Sequence, residues 1–275
     1  MKNNPISLSH FLPDADLLNL IKDICLKGDE NTIISLNYQR KKIWVKFHTD
    51  KKTEKANRLQ TILSKYLRLP IINSMAISGR FRAAEEEATR LLTFRSLGIA
   101  APQVIAVTKN WIAISDVGET LEHYVKSHAL EETARNALLL NAVEALAELH
   151  MKGEVHGGSQ IRNITYDETT HVFSFIDLED NPVGLMSLAN AQARDLALFL
   201  CSVLAYQESG VRLLPALIER YRELAPKNVW ERLEHAYHIL HVIERCLGWL
   251  LQYLGRDARR GIAVTRAFGG VLRKT

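Results

Sequence analysis

The apolar positions of the chain recur with two different periods, and each period predicts one kind of element. A helical period runs through residues 14–26, 50–68, 82–97, 131–151, 190–206, 211–225 and 228–254. Segments rich in β-branched and aromatic residues, typical of strands, occupy 32–38, 42–48, 104–108, 111–115 and two stretches within 155–176. We therefore predict a β-rich first part of the chain and a mostly helical second part that contains one buried hairpin.

Residues with special backbone preferences mark the ends of these elements. Asp14 is a candidate N-cap for the first helix, and Gly98 predicts the end of the helix over 82–97. The break Asp116-Val117-Gly118 separates the two parts. We accordingly predict an N-terminal lobe over residues 1–115 and a C-terminal lobe over residues 116–275, hinged near 115–118.

Composition narrows the class of protein. The 275 residues are 47% hydrophobic and 24% charged, which is typical of a globular protein and excludes global disorder. No apolar run reaches the roughly 20 residues of a membrane span, and the N-terminus lacks a secretory pattern. Cys25, Cys201 and Cys246 are widely spaced in apolar surroundings, so we predict buried thiols in a reducing cytoplasm.

Charge is distributed unevenly along the chain. Residues 1–70 carry 13 basic and 7 acidic side chains, residues 256–275 carry six basic and one acidic, and the middle has a net charge of −7. Two basic ends are compatible with peripheral contact with the inner membrane. The run Trp249-Leu250-Leu251 would dock on the surface while Arg256, Arg259, Arg260 and Arg266 meet lipid phosphates. The alternatives are solvated surfaces and a packed C-terminal helix with a basic end. We predict no nucleic-acid partner.

The most informative segment is Val155–Asp180. His156 lies in a turn, Asn163 precedes a strand, and Asp177 ends the strand that follows. Because a tight turn sets the outer ends of two paired strands side by side, Asn163 and Asp177 are expected to lie close together. An amide oxygen and a carboxylate suit Mg²⁺, which takes a few protein oxygens together with substrate phosphates.

The pattern His156-Gly-x-x-x-x-x-Asn163, followed by Ile176-Asp177-Leu178-Glu179, resembles the catalytic loop and metal-binding segment of the protein-kinase-like superfamily. Among its branches, the chain is most similar to bacterial aminoglycoside and sugar phosphotransferases and to small kinases of the lipopolysaccharide type. The resemblance implies an α+β fold of two lobes, a small β-rich N-terminal lobe and a larger helical C-terminal lobe, and the use of ATP and Mg²⁺.

The resemblance also implies roles for particular residues. Lys46 in Ile-Trp-Val-Lys would meet the nucleotide phosphates, and Glu87 would pair with it, although Glu85 and Glu86 are neighbours that offer the same chemistry. The backbone of Ser115 and Val117 would bind the adenine. Further along the chain, Asn163 and Asp177 would hold the metal as members of the catalytic set, while His156 and Asp195 would brace the catalytic loop.

Two departures from the family pattern open an alternative. Gly158 stands where the family has its catalytic aspartate, and only Gly28, in a predicted turn over 28–31, precedes Lys46, so there is no Gly-x-Gly-x-x-Gly loop. Ser159 or Gln160 would have to position the hydroxyl of a small-molecule, glycan or lipid acceptor. The chain is therefore predicted to be a phosphotransferase or, alternatively, a pseudokinase that binds nucleotide or acts as a scaffold.

Plainer interpretations stay open for single residues. In these interpretations Lys46 and Glu87 are ordinary solvent-exposed side chains, and Asn163 only shapes a turn.

Two other functional hypotheses concern different segments. Glu234, His238 and His241 share a helix face that would bind zinc, and Gly157-Gly158-Ser159 resembles part of a nucleophilic serine turn, although Ile161 replaces its last glycine.

Overall fold

The computed structural model describes residues 8–26, 33–48, 83–206, 211–251 and 255–273. The predicted turn over 28–31 and the predicted basic helix over 50–68 lie outside the described residues.

A four-stranded antiparallel sheet forms the first lobe. Its strands have the order β1-β2-β4-β3, and two helices accompany them. The elements are α1 (Ala15–Leu26), β1 (Ile33–Tyr38), β2 (Lys41–Phe47), α2 (Ala83–Ser96), β3 (Val104–Val107) and β4 (Trp111–Ser115). Asp14 caps α1 as predicted, because its Oδ1 accepts a hydrogen bond of 2.8 Å from the amide of Leu17. Gln39 and Arg40 both have positive φ, which is the geometry of a tight hairpin turn.

The second lobe is mainly helical and encloses a three-stranded sheet of order β5-β6-β7. Its elements are β5 (Glu119–Thr120), α3 (Leu121–Ser127), α4 (Glu132–Met151), β6 (Ile164–Asp167), β7 (Val172–Phe175), α5 (Leu188–Tyr206), α6 (Leu214–Leu224), α7 (Lys227–Leu251) and α8 (Gly255–Leu272). The fold class is therefore as predicted: α+β, with a small β-rich lobe and a larger helical one. The boundary at 115/116 stays a prediction, and β4 ends at Ser115.

The two faces of the first sheet belong to different cores. Ile43 and Val45 pack with α1 in a small cluster on one face. Trp44, on the opposite face, packs against the large core that α2 shares with the second lobe. Because side chains alternate along a strand, Lys46 shares the face of Trp44 and is directed toward the second lobe.

The helix predicted over 228–254 is present as α7, which ends at Leu251. The helix that begins at Gly255, α8, was not predicted; it packs against α5, α6 and α7, and its Val264 and Phe268 are buried. The predicted burial of the thiols is wrong, because Cys246 is exposed and Cys201 is only half-buried. The side chain of Cys25 lies outside the described residues.

Within the described ranges, one helix, α5, is long and apolar enough to span a membrane. However, 61% of its most apolar window is buried inside the protein. Its apolar residues are therefore used in packing, as in the core helix of a globular domain.

Candidate functional site

A cleft of about 340 Å³ lies between the first sheet and the second lobe. Its lining includes six of the residues predicted from the sequence, namely Lys46, Glu87, Ser115, Val117, Asn163 and Asp177. The other two, His156 and Asp195, are fully buried in the second lobe. Residues distant in sequence thus converge on one cavity with walls from both lobes.

Lys46 is bound by carboxylates from both sides of the cleft. Its Nζ lies 3.3 Å from Oε1 of Glu87, forms an ion pair with Asp177, and contacts Oε1 of Glu179. Burial lowers the pKa of the Lys46 ammonium, but the three carboxylates outweigh it and raise that pKa above its ordinary value. With 12% of its side chain exposed, Lys46 is not a solvent-face lysine.

The partner of Lys46 on α2 is Glu87 rather than one of its neighbours. Glu87 is 1% exposed, whereas Glu86 is exposed and Glu85 half-buried. Helical geometry turns Glu87 and Ala88 into the core, so only the carboxylate of Glu87 reaches the cleft. Its second oxygen, Oε2, lies 3.2 Å from Nε2 of His48.

Asp177 follows β7 in a left-handed backbone conformation, with φ of 62°. That conformation costs roughly 1–2 kcal/mol for a residue with a side chain, and retained strain of this kind clusters at functional sites. Burial would raise the pKa of the Asp177 carboxyl, but the charge and hydrogen bond of Lys46 have the larger effect and lower that pKa. The carboxylate is therefore ionised at neutral pH.

Asn163 is joined to the segment of Asp177 by the backbone. Its carbonyl accepts a hydrogen bond of 3.0 Å from the amide of Ile176. The side-chain Nδ2 donates to the carbonyl of Gly158 at 2.8 Å, and Oδ1 has no hydrogen-bond partner among the described residues. An amide oxygen and the carboxylate of Asp177, both lining the cleft, are an oxygen donor set that fits Mg²⁺.

The loop that begins at His156 is held from below by Asp195. The amides of His156 and Gly157 donate to its carboxylate at 2.6 and 2.9 Å, and the Ser159 hydroxyl donates to its backbone carbonyl at 2.6 Å. Burial would raise the pKa of Asp195, but its hydrogen bonds and nearby His150 outweigh burial and lower it. Ser159 is fully buried in this arrangement, so it cannot position an acceptor or act as a nucleophile.

His156 is buried and has its ring fixed on both sides. Nδ1 accepts a hydrogen bond of 3.1 Å from the amide of Gly158, so the ring proton lies on Nε2, 3.4 Å from the carbonyl of Asn163. Burial lowers the pKa of His156, and the ring is neutral at pH 7. Its position braces the loop and does not reach the cleft.

The two glycines of this loop are there for different reasons. Gly157 has φ of 92°, and a Cβ there would lie 2.1 Å from the carbonyl oxygen of Asp180, so only glycine fits. At Gly158 a Cβ would meet only Nδ2 of Asn163, at an ordinary 3.6 Å. The backbone therefore has room for a side-chain Cβ at 158, so the glycine there is not required by contacts of the kind that fix Gly157.

Sequence reasoning missed three residues of the site. His48 shares the strand face of Lys46, and Glu179 belongs to the Ile-Asp-Leu-Glu pattern, so alternation and the motif itself were available signals. Arg90 lies one helical turn after Glu87 and donates to the carbonyls of Leu178 and Asp180 at 2.7 and 2.6 Å. It also donates to the carbonyls of Val155 and His156.

The helix histidines do not converge as the zinc alternative requires. Among the described residues, the metal-capable cluster of His, Cys, Asp and Glu side chains is His48, Glu87 and Glu179. His241 is exposed, and its ring is stacked against Tyr237.

Comparisons with known proteins give distant similarity. No protein-family model matches the chain. An uncharacterized protein of Haemophilus influenzae is 23% identical over 164 residues, a match that covers 60% of each protein.

Two solved structures are similar over most of the chain. WaaP in complex with acyl carrier protein has a TM-score of 0.47 and 13% identity, and the match covers 79% of this chain and 84% of that one. A divergent kinase lacking the glycine-rich loop, which regulates membrane ultrastructure of the Toxoplasma parasitophorous vacuole, has a TM-score of 0.42 and 11% identity, with coverages of 82% and 86%. At these scores no functional property passes from those proteins to this chain.

Proposed function

We propose that the protein is an ATP- and Mg²⁺-dependent phosphotransferase that acts on a hydroxyl of a small-molecule, sugar or lipopolysaccharide-type acceptor. The observation that carries the proposal is the ion-pair network in which Lys46 of the first lobe meets Glu87 and, across the cleft, Asp177. Phosphoryl transfer depends mainly on positioning and on neutralising phosphate charge, and this network supplies groups for both.

The nucleotide would lie along the cleft with its base at the end of β4. Ile33, Ile114 and Ile176 provide apolar surface there, and the amide of Val117 has no partner among the residues described. Ser115 would act through its carbonyl, because its amide already donates to the carbonyl of Gln103 at 2.9 Å. The phosphates would then meet Lys46, which Glu87 holds in place.

Asn163 and Asp177 would hold Mg²⁺ together with the nucleotide phosphates. When bound, the ion neutralises charge on the transferred phosphoryl group. The chain's own contribution is to keep Asp177 ionised and to orient the Asn163 amide through its bond to Gly158. Lys46 would exchange its contact with Asp177 for the phosphates.

The acceptor would approach beside the loop over 157–160. Gly158 offers no base, and general-base help is worth about 10²–10⁴ in rate, so we expect slow turnover. Gln160 is half-buried and remains the candidate for orienting the acceptor. The short segment between Asp177 and Asp195 leaves little room for a regulatory activation loop, which favours a small acceptor.

We place the protein in the cytoplasm, with the basic ends available for peripheral contact with the inner membrane.

A pseudokinase that binds nucleotide or serves as a scaffold is the second candidate. Gly158 favours it, and so does the engagement of Lys46 by Glu179 in addition to Glu87 and Asp177. An incoming nucleotide would have to displace these contacts.

Thermal shift with Mg·ATP tests the proposal. We expect a rise in melting temperature for the wild type, none for Asp177→Ala, and the wild-type rise for Asp23→Ala, an exposed aspartate on α1. Slow ATP hydrolysis that increases in Gly158→Asp would show that the cleft lacks only the base. The absence of any shift at millimolar nucleotide would refute nucleotide binding and leave the scaffold.

A further inference from the structure

A second set of potential ligands lies beside Lys46. His48 directly follows β2 on the side of Lys46, Glu87 comes from α2, and Glu179 follows β7. One donor atom from each of these residues lies within 4.8 Å of the other two. Three segments that are distant in sequence therefore bring an imidazole and two carboxylates to one point.

Two of these donor atoms are buried without a hydrogen-bond partner in the described part of the chain. They are Nε2 of His48 and Oε2 of Glu87. The side chains are 10% and 1% exposed, and the two atoms are 3.2 Å apart without the angles of a hydrogen bond. Buried polar atoms nearly always have a hydrogen-bond partner, so a buried nitrogen and oxygen that lie within ion-pair range without a hydrogen bond are compatible with a shared third partner.

The charges around these atoms favour a cation as that partner. Glu87, Asp177 and Glu179 contribute three negative charges, against the one positive charge of Lys46. Lys46 approaches Oε1 of Glu87 and leaves Oε2 directed at His48. A divalent ion at this position would balance the negative charge that Lys46 leaves uncompensated among these three carboxylates.

We propose that His48, Glu87 and Glu179 form a binding site for a divalent transition-metal ion of the zinc type. Imidazole nitrogen selects zinc-like ions over Mg²⁺, whereas Asn163 and Asp177 offer only oxygen. Ligands about 2.0–2.1 Å from a tetrahedral zinc lie about 3.3 Å apart. The 3.2 Å between Nε2 of His48 and Oε2 of Glu87 matches that separation. The third ligand, Glu179, is one-third exposed and would exchange its contact with Lys46 for the ion.

This site goes beyond the proposed function and does not require nucleotide. Three protein ligands leave one position of a tetrahedral zinc ion open for water. Because the ligands come from β2, α2 and the segment after β7, the bound ion would tie the two lobes together. It would also fix the Glu87 carboxylate that pairs with Lys46.

Zinc titration of the full chain tests the inference. Protein stripped with a chelator is titrated with Zn²⁺ against a chromogenic chelator, without nucleotide. We expect one tight equivalent, and a loss of affinity of about tenfold or more in His48→Ala and in Glu179→Gln. The control is His123→Ala, which removes another histidine–glutamate pair, 2.9 Å from Glu119, on an exposed surface. Its zinc affinity should equal that of the wild type.

Co²⁺ gives a second readout. Its visible absorption should be that of a tetrahedral site in the wild type and should be lost in Glu179→Gln, whose surface position keeps the fold if His48→Ala fails to fold. Unchanged zinc affinity in Glu179→Gln, or loss of binding in His123→Ala, would overturn the site. Mg·ATP shifts measured on the same samples separate this inference from the proposed function, since zinc binding without a nucleotide shift would refute only the latter.

Discussion

Lys46 is held by carboxylates from both lobes, and its removal would leave them facing one another. Glu87 is 1% exposed, so its carboxylate cannot regain water when the ammonium is lost. Loss of Lys46 should therefore cost more stability than loss of the exposed ion pair between Lys42 and Asp116 on the same strand.

We predict that Lys46→Met lowers the free energy of unfolding by about 3 kcal/mol or more, because it leaves a buried carboxylate unpaired. It should also abolish the Mg·ATP shift. The matched control is Lys42→Met on the same strand, which removes a pair with Asp116 that is 50% exposed on the lysine side and should cost about 1 kcal/mol or less. Urea denaturation measures both, and equal losses would contradict the assigned role of Lys46.

At the scale of elements, α2 is connected to the segment that begins the His156 loop and to the segment that follows Asp177. Phe94 packs edge-on against Phe175 of β7. The guanidinium of Arg90 donates hydrogen bonds to the carbonyls of His156 and Leu178, one in each of these segments. Glu87 lies on the same helix. The position of α2 therefore sets the position of the carboxylate relative to Asp177.

We predict that Arg90→Met lowers both stability and nucleotide affinity, because the carbonyls of Leu178, Asp180, Val155 and His156 lose their donor. Each unsatisfied group costs about 1–3 kcal/mol. Arg95→Met on the same helix removes one bond, to the carbonyl of Ala101, from an exposed side chain and should cost far less. Equal melting temperatures for Arg90→Met and Arg95→Met would show that Arg90 does not connect α2 to these two segments.

At the scale of the whole molecule, buried titratable groups set the pH dependence of stability. The pKa of His156 is lowered below its ordinary 6.5 by burial, so the unfolded chain binds more protons as the pH falls below that value. The pKa of Asp195 is lowered below 3.8, with the same sign. Acidification should therefore destabilise the protein in two ranges.

We predict that the melting temperature decreases as the pH falls below about 6.5, and decreases further below about 4. His156→Phe, which keeps an aromatic ring against Phe175, should weaken the first decrease. His123→Phe, on an exposed helix, should keep it. Thermal melts across pH measure the difference, and an unchanged first decrease in His156→Phe would assign it to another group.

Much of the fold was predictable because local patterns report local structure. The helix over 14–26, the first hairpin, the strands at 104–115 and the hairpin before Asp177 are present within a few residues of their predicted bounds. Helix α8 was not predicted, because Gly261, Gly269 and Gly270 weaken its helical signal and its burial depends on packing against α5, α6 and α7. The burial of α5 likewise depends on its neighbours rather than on its composition.

The sequence by itself determined the order of elements and the chemistry of the principal groups: a strand lysine, a helix with glutamates, an Asn–Asp pair around a hairpin, and a glycine at 158. Only the tertiary structure decided which glutamate is buried at the cleft, that Ser159 is taken up by Asp195, and that His48 and Glu179 meet Glu87. The physical reason is that periodicity reports which face a side chain occupies. The group it meets there is set by how the two lobes pack.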